Sequence, residues 1–277
     1  PSVVNSLPGL GSVFTSRRWD AAPLRAWIRT GLRVVLHRPN TWTTFENPTD
    51  LSLCVRWGIV PAGRALLMRG LGVDTNVFAP APEPSGAPVL LFCGRMLWSK
   101  GVGDLVAAAR MLRTRDLAAR VVLAGRHDAE HRDAIGVRQL EAWTAEGIAT
   151  WIGRRSDMPN VYAGAHVVVL PTRYGEGIPR VLIEAAACAR PIVASAVPGC
   201  HEIVRDGQNG LLVEPGNPVA LADALVRLIG DGALRQSMGR RGREIAVAEF
   251  AQEKKVDEAL SVYSRGKDES TASWVAD

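Results

Sequence analysis

The chain has 277 residues, of which 47% are hydrophobic and 22% are charged, and its formal net charge is +5 at pH 7. This composition predicts a packed globular protein, and the lack of a long apolar run argues against a transmembrane helix. The four cysteines have no CxxC spacing and the five histidines have no metal-ligand spacing, which argues against zinc and against a disulfide framework. The basic charge fits phosphorylated ligands or an anionic membrane surface better than nucleic acid, because the cations are dispersed rather than interleaved with aromatic residues.

Residues 1–78 contain few regular elements. Residues 32–36 and 66–68 are apolar and predict strands, and residues 48–57 predict a helix between them. This is too little for a complete doubly wound domain, so we expect residues 1–78 to be the remnant of an N-terminal domain. Residues 79–88 contain four prolines and predict a linker.

Residues 89–250 alternate short apolar runs with helical patterns. The predicted strands are residues 89–93, 120–124, 150–152, 167–170, 191–194 and 210–213. The predicted helices between and after them are residues 101–112, 128–146, 157–164, a helix through Glu184, and residues 218–229. Such alternation predicts βαβ units and a doubly wound parallel sheet that is covered on both faces. Residues 233–265 are also predicted to be helical, and residues 251–277 form a C-terminal helix and tail.

Two carboxylates, Glu176 and Glu184, stand close together after a predicted strand. Glu176 lies in a glycine-rich turn and Glu184 in an apolar helical run, at the sheet edge where open α/β proteins bind ligands. Two acidic groups there suit a ligand rich in hydroxyls, such as a sugar and a ribose. A general acid and base pair is the alternative, but nothing in the sequence fixes the carboxyl spacing that a hydrolase needs. A charge in an apolar run also predicts a bonding partner for Glu184.

Residues 94–101 follow the first strand of the large domain and contain Arg95 and Lys100. A strand, a glycine turn, two cations and a helix start predict a phosphate cradle, in which backbone N–H groups and the cations stabilise anionic oxygens together. A solvated Arg and Lys in an ordinary loop are the alternative. Gly125 and Gly153 end the next two strands, where backbone can approach a ligand; a plain turn is the better interpretation for Gly125.

Six motifs in chain order resemble the C-terminal half of a retaining GT-B glycosyltransferase of family 4, of the group 1 type. They are residues 94–101, Gly125, Gly153, the pair Glu176 and Glu184, residues 198–199 and residues 209–213. Residues 45–50 and 70–78 resemble the inter-domain region of that family. Residues 5–14 resemble members that extend lipid-linked oligosaccharides for surface polysaccharides.

The resemblance implies an enzyme that transfers a glycosyl group from a nucleotide sugar, most often UDP-linked, with retention of configuration and without a bound metal or cofactor. Arg95 and Lys100 match residues that hold the diphosphate, Glu176 the glutamate near the donor sugar, and Glu184 the ribose-binding glutamate. Together with Glu184, the implied substrate-binding residues are Gly94, Gly125, Gly153, Arg154, Gly175, Gly177, Ile178 and Pro179. The implied partners are a glycan or polyprenyl-linked acceptor and an anionic membrane contacted peripherally, with no nucleic acid, in the cytoplasm or on the inner face of the cell membrane.

Several alternatives stay open at this point. Family members have a complete N-terminal domain on the acceptor side, so residues 1–78 predict a truncated enzyme that binds nucleotide sugars without turnover. Another GT-B-like enzyme, such as an epimerase or a phosphorylase, would need residues that are not found here. An NAD-dependent Rossmann enzyme is disfavoured because no GxGxxG follows any predicted strand.

Overall fold

Two parallel sheets form the fold, which confirms the predicted α/β class. The structure is a computed structural model that describes residues 3–10, 14, 22–175 and 177–272. The smaller sheet has three strands in the order β1-β2-β3. Its elements in chain order are β1 (Val3–Leu7), α1 (Ala22–Leu36), β2 (Thr41–Phe45), α2 (Pro48–Arg56) and β3 (Ala65–Leu67).

The larger sheet has six parallel strands in the order β6-β5-β4-β7-β8-β9. These strands are β4 (Val89–Cys93), β5 (Arg120–Ala124), β6 (Ala149–Trp151), β7 (Val167–Leu170), β8 (Ile192–Ser195) and β9 (Gly210–Val213). Strands β5 and β6 follow β4 toward one edge of the sheet, whereas β8 and β9 follow β7 toward the other edge. The strand order therefore reverses between the neighbours β4 and β7. A reversal of this kind opens a crevice at the carboxyl ends of the two strands, where α/β proteins bind ligands.

Helices cover both faces of the larger sheet. They are α3 (Val102–Thr114), α4 (Val137–Ala145), α5 (Met158–Ala163), α6 (Arg180–Ala187), α7 (Cys200–Ile203), α8 (Pro218–Gly230), α9 (Gly232–Glu249) and α10 (Gln252–Ala272). Every residue of β4, β7 and β8 is buried, as the continuous apolar runs predicted. Within the described part of the chain, no helix combines the length and the apolar character needed to traverse a bilayer.

The start of α10 joins the two sheets. The Val73 N–H donates to the Phe250 carbonyl at 2.9 Å, and the Gln252 N–H donates to the Val73 carbonyl at 3.0 Å. The chain thus returns to the N-terminal segment after the larger sheet is complete, and α10 packs beside β1. A separate apolar cluster lies under the smaller sheet, formed by Leu36, Phe45, Cys54, Ile59 and Val60.

The sequence-based elements are wrong in part of the N-terminal segment. Residues 32–36 are the end of α1 and not a strand. The β-branched pair Val34 and Val35 suggested a strand, whereas Leu36 is buried one helical turn after Leu32. Strands β1 and β2 were not predicted, because the threonines of β2 concealed a strand whose five residues are all buried.

One predicted helix differs in extent from the observed one. Only Val137–Ala145 is helical within residues 128–146, and the residues before it form a loop that bonds to the loop after β4. Met96, in the loop after β4, makes both bonds: its N–H donates to the Arg126 carbonyl at 3.1 Å, and its carbonyl accepts from the Ile135 N–H at 2.9 Å. Residues 233–265 are helical as predicted, in two helices that are separated at Phe250 and Ala251. The predicted domain bounds at residues 1–78, 79–88, 89–250 and 251–277 stay predictions.

All four cysteines are buried and none forms a disulfide: Cys54, Cys93, Cys188 and Cys200. Burial raises the pKa of the Cys54 thiol to about 11 and the pKa of the Cys93 and Cys188 thiols to about 12. These three thiols are therefore protonated at neutral pH and behave as small apolar side chains.

The loops that follow β4 and β7 touch through backbone at Gly101. This residue has a positive φ of 76°, and a Cβ built on it would overlap the carbonyl oxygen of Pro171. Only glycine combines this conformation with so close an approach.

We expect Gly101→Ala to lower the free energy of unfolding by about 3 kcal/mol, because it adds both backbone strain and a clash with a fixed carbonyl. Urea denaturation measures the change. Gly31→Ala is the matched control: it lies inside α1 with open space around the added carbon, and it should raise stability by about 0.5–1 kcal/mol. A Gly101→Ala protein as stable as the wild type would contradict this account of the loop contact.

Candidate functional site

A cavity of about 370 Å³ opens at the carboxyl ends of β4 and β7, where the strand order reverses. The predicted site residues that line it are Arg95, Lys100, Gly175, Gly177, Ile178 and Pro179. It is also lined by residues that sequence reasoning did not assign to the site: Pro8, Gly9, Glu46, Tyr174 and Arg180. The cavity therefore combines loops of the larger sheet with the ends of β1 and β2 from the smaller one.

The two predicted diphosphate cations face this cavity with protein partners of their own. The Arg95 Nη1 lies 3.3 Å from an Asp128 carboxylate oxygen, and the Arg95 side chain is 42% exposed. The Lys100 Nζ lies 5.3 Å from the centre of the Tyr174 ring, a cation–π distance. Both cations are held at the mouth of the cavity, and an anionic ligand would compete with Asp128 for Arg95.

The backbone half of the predicted phosphate cradle is not found at residues 98–101. The Trp98 N–H donates to the Asp133 carbonyl at 3.0 Å and the Ser99 N–H donates to the Asp133 carboxylate at 2.8 Å. The next two N–H groups donate to carbonyls within the same turn. Because these four donors are already bonded, an anion beside residues 98–101 would be bound by the side chains of Arg95 and Lys100 rather than by these N–H groups.

An ion pair fixes the loop after β7 against α3. The Arg173 guanidinium donates to both carboxylate oxygens of Asp104, at 2.8 and 2.5 Å, and the Asp104 side chain is buried. The Arg173 N–H also donates to the Ser99 carbonyl at 2.8 Å. A bidentate, charge-assisted pair on a buried carboxylate is strong and directional, so it holds Tyr174 and the residues after it beside the loop that carries Lys100.

Glu184 is buried in α6 and has two partners, which confirms the prediction that its charge is compensated. The Tyr162 hydroxyl donates to Oε2 at 2.9 Å, and the Arg180 Nε donates to Oε1 at 2.9 Å. Burial raises the pKa of Glu184, and the bonds from Tyr162 and Arg180 offset part of that rise. Glu184 does not line the cavity, and its role at a ribose stays a prediction. Glu176 lies outside the described residues.

The remaining predicted residues lie along the same sheet edge but outside the cavity. The Gly125 N–H donates to the Gly153 carbonyl at 2.8 Å, and a Cβ on Gly125 would overlap the Gly94 carbonyl oxygen. Gly125 is thus required for the packing of neighbouring loops, in agreement with the plain-turn interpretation. Gly153 has open space beside it, and Arg154 is exposed.

A second, larger cavity of about 880 Å³ adjoins the first and shares Arg95 and Tyr174 with it. Its other lining residues are Ser99, Glu130, His131, Arg132 and Asp133. Sequence reasoning missed this surface because it predicted a helix where the structure has a loop. Among the described residues, no group of three or more His, Cys, Asp or Glu side chains is placed to hold a metal ion.

The profile of the family "Glycosyl transferases group 1" matches residues 87–231, more than half of the chain. The chain belongs to the group 1 glycosyl transferases. The matched region contains the larger sheet and both loops that line the cavity, so the family assignment and the site coincide.

Named relatives of this group 1 chain extend over much of its length. An N,N'-diacetylbacillosaminyl-diphospho-undecaprenol alpha-1,3-N-acetylgalactosaminyltransferase of Campylobacter jejuni is 29% identical over 252 residues, covering 86% of this chain and 64% of that protein. A sucrose-phosphate synthase structure from Thermosynechococcus elongatus has a TM-score of 0.80 and 27% identity, covering 95% of this chain and 67% of that one. The Anabaena protein HepE, solved with UDP, has a TM-score of 0.80 at 20% identity, covering 95% and 72% respectively, which shows the fold alone.

These neighbours identify the two-sheet architecture as GT-B. The chain spans about half the length of the curated relatives it matches, with 45%, 43% and 64% of the first three covered.

Because the pKa of Glu184 is raised in the folded protein, the stability of the fold should depend on pH through this residue. A carboxyl whose pKa is higher in the folded state than in the unfolded state favours folding at low pH, and this contribution is lost as pH rises through the folded pKa. We therefore expect Glu184→Gln, which keeps an acceptor for Tyr162, to gain melting temperature relative to the wild type as pH rises from 4 to 7.

Glu146→Gln is the control with the opposite sign. Arg110 lowers the pKa of the exposed Glu146. The melting temperature of the wild type should therefore rise relative to that of this variant as pH rises over the same range. Thermal denaturation of the three proteins across the pH series measures both trends, and the same slope for both variants would contradict the assignment.

Proposed function

We propose that this chain is a retaining glycosyltransferase that moves a sugar from a UDP-linked donor to a glycan or lipid-linked acceptor, without a metal ion, in cell-surface polysaccharide synthesis. The observation that carries the proposal is one cavity lined by Arg95, Lys100 and the backbone of residues 177–179. The family and two neighbours support it, since the Campylobacter relative is named for an undecaprenol-linked substrate and HepE, which has the same fold, was solved with UDP.

The donor would lie across the crevice between β4 and β7. Arg95 offers a planar fork that can bind two phosphate oxygens, and Lys100 supplies a compact positive charge beside it. Two fixed cations stabilise the charge that develops on a leaving diphosphate, which is the work that a bound metal does in other enzymes. Glu176 and Glu184 stay our predictions for contacts to the donor sugar and to the ribose.

We assign the front-face route to retention, in which the acceptor hydroxyl attacks the donor from the face that the diphosphate leaves. The bond between the anomeric carbon and the phosphate oxygen breaks, and a bond to the acceptor oxygen forms on the same face. The hydroxyl proton passes to the departing phosphate oxygen, so the step needs no further reactant. Arg95 and Lys100 favour bond breaking because they stabilise the charge on the leaving group more than on the intact donor.

The acceptor side would be formed by the N-terminal segment, whose Pro8, Gly9 and Glu46 reach the cavity. The net charge of +5 is compatible with a peripheral position on an anionic membrane, where a lipid-linked acceptor resides. The second candidate is a module that binds nucleotide sugars without transferring them, and an assay of transfer distinguishes the two.

Titration calorimetry with UDP and with uridine tests the donor site. Arg95→Ala and Lys100→Ala should each weaken UDP binding by about 10- to 100-fold and leave uridine binding unchanged, because uridine lacks the diphosphate. Glu176→Ala should weaken UDP binding less than either. Arg120→Ala, which removes a cation at the opposite end of β5, is the matched control and should have no effect.

Two results would overturn the proposal. One is a wild-type chain that binds no nucleoside diphosphate; the other is a larger loss of UDP affinity in Glu176→Ala than in the two cation variants. Transfer of sugar from a UDP-sugar to an added acceptor favours the enzyme, whereas binding without transfer favours the module.

A further inference from the structure

Glu46 connects the smaller sheet to the loop that precedes α6. It follows the last residue of β2, and its Oε2 accepts a hydrogen bond from the Ile178 N–H at 2.8 Å. The carboxylate is half-buried; burial raises its pKa and the bond from Ile178 lowers it. The two residues are 132 positions apart in the sequence, so this contact exists only when the two sheets are docked.

The backbone around this contact leaves no room for another side chain. A Cβ built on Gly177 would overlap both the Pro8 carbonyl oxygen and Glu46 Oε2. The ends of β1 and β2 therefore meet the Gly177–Ile178 backbone directly. Glu46 thus contacts the backbone of two residues that line the cavity.

The residues beside Glu46 fix its position. Asn47 caps α2, because its side chain accepts the Asp50 N–H at 2.8 Å, and it donates to the Asp50 carboxylate at 3.0 Å. Asp50 is buried and also accepts a bond from the Leu10 backbone, which ties the loop after β1 to the same unit. Glu46 thus directly precedes a hydrogen-bonded helix cap, and its own carboxylate is half-buried and bonded to Ile178.

We infer that Glu46 is a positioning residue of the donor site: from the N-terminal segment it holds the Ile178 amide and thereby orients the Gly177–Pro179 backbone in the cavity. This inference rests on the proposed function, and it makes the smaller sheet part of the donor site as well as of the acceptor side. A peptide N–H at the start of α6 carries partial positive charge, and a carboxylate is its strongest natural acceptor.

The effect of this bond should depend on the part of the donor that is bound. Residues 177–179 line the cavity together with Arg95 and Lys100, and they directly follow Glu176, our predicted contact to the donor sugar. On the proposed function we therefore place this backbone at the sugar end of the donor. Loss of Glu46 should therefore lower the affinity for a UDP-sugar more than the affinity for UDP itself. A residue that only stabilised the docking of the two sheets would weaken both ligands equally.

Hydrogen exchange measured by mass spectrometry on the full chain tests the contact without any ligand. Glu46→Ala should speed exchange of the Ile178 amide by about tenfold or more, since it removes the acceptor of that N–H. Glu46→Gln should stay close to the wild type, because its amide oxygen can accept the same bond. Unchanged exchange in Glu46→Ala would overturn the inference whatever the ligands do.

Calorimetry with UDP, UDP-glucose and UDP-N-acetylglucosamine tests the consequence. Glu46→Ala should lower the affinity for both UDP-sugars by about tenfold and the affinity for UDP by less than about twofold. Glu46→Gln should bind the UDP-sugars almost as tightly as the wild type. The matched control is Glu202→Gln, which neutralises the carboxylate of another contact between the segments, the pair with Arg69 at 3.1 Å, and should change neither exchange at Ile178 nor the ratio of affinities.

Equal weakening of UDP and both UDP-sugars by Glu46→Ala overturns the inference and leaves the proposed function standing. A wild-type chain that binds none of the three ligands overturns the proposed function, while the exchange experiment still decides whether Glu46 holds Ile178. Should Glu46→Ala fail to fold, Glu46→Asp replaces it: the shorter carboxylate cannot reach the amide, so it should show the same faster exchange and the same selective loss.

Discussion

The candidate site depends on the contact between the loop after β4 and the loop after β7. Gly101 lies against the Pro171 carbonyl, and the Arg173–Asp104 ion pair holds the second loop on α3. These are neighbouring strands at the point where the sheet order reverses, so their loops would otherwise diverge around an open crevice. With the contact in place, the cations of one loop and the backbone of the other line the same cavity.

The larger sheet could be predicted because its strands are buried on both faces and therefore appear as continuous apolar runs. Strands β4, β5, β7 and β9 have the predicted bounds. Prediction failed where tertiary structure outweighs local pattern. β2 contains three threonines that are buried by the packing around the smaller sheet, and the charged residues before α4 form a loop because their backbone bonds to the loop after β4.

The same distinction applies to the site. Arg95 and Lys100 were predicted because they adjoin a strand in the sequence, whereas Gly175, Gly177, Ile178 and Pro179 were predicted from the family resemblance. Glu46 was not assigned to the site: it contacts Ile178 only after two separate sheets have docked. Asp133 and Asp128 were missed for a related reason, since each meets the β4 loop across a neighbouring loop. Contacts between elements distant in sequence leave no local pattern.

The buried cysteines have a practical consequence for the study of this molecule. Each native thiol is shielded, and burial raises the thiol pKa of Cys54, Cys93 and Cys188 so far that little thiolate, the reactive form, is present at neutral pH. A single cysteine introduced on the surface would therefore react selectively with maleimide dyes in an otherwise unmodified chain. A pair of such labels, one on each sheet, would report the distance across the cleft by fluorescence energy transfer.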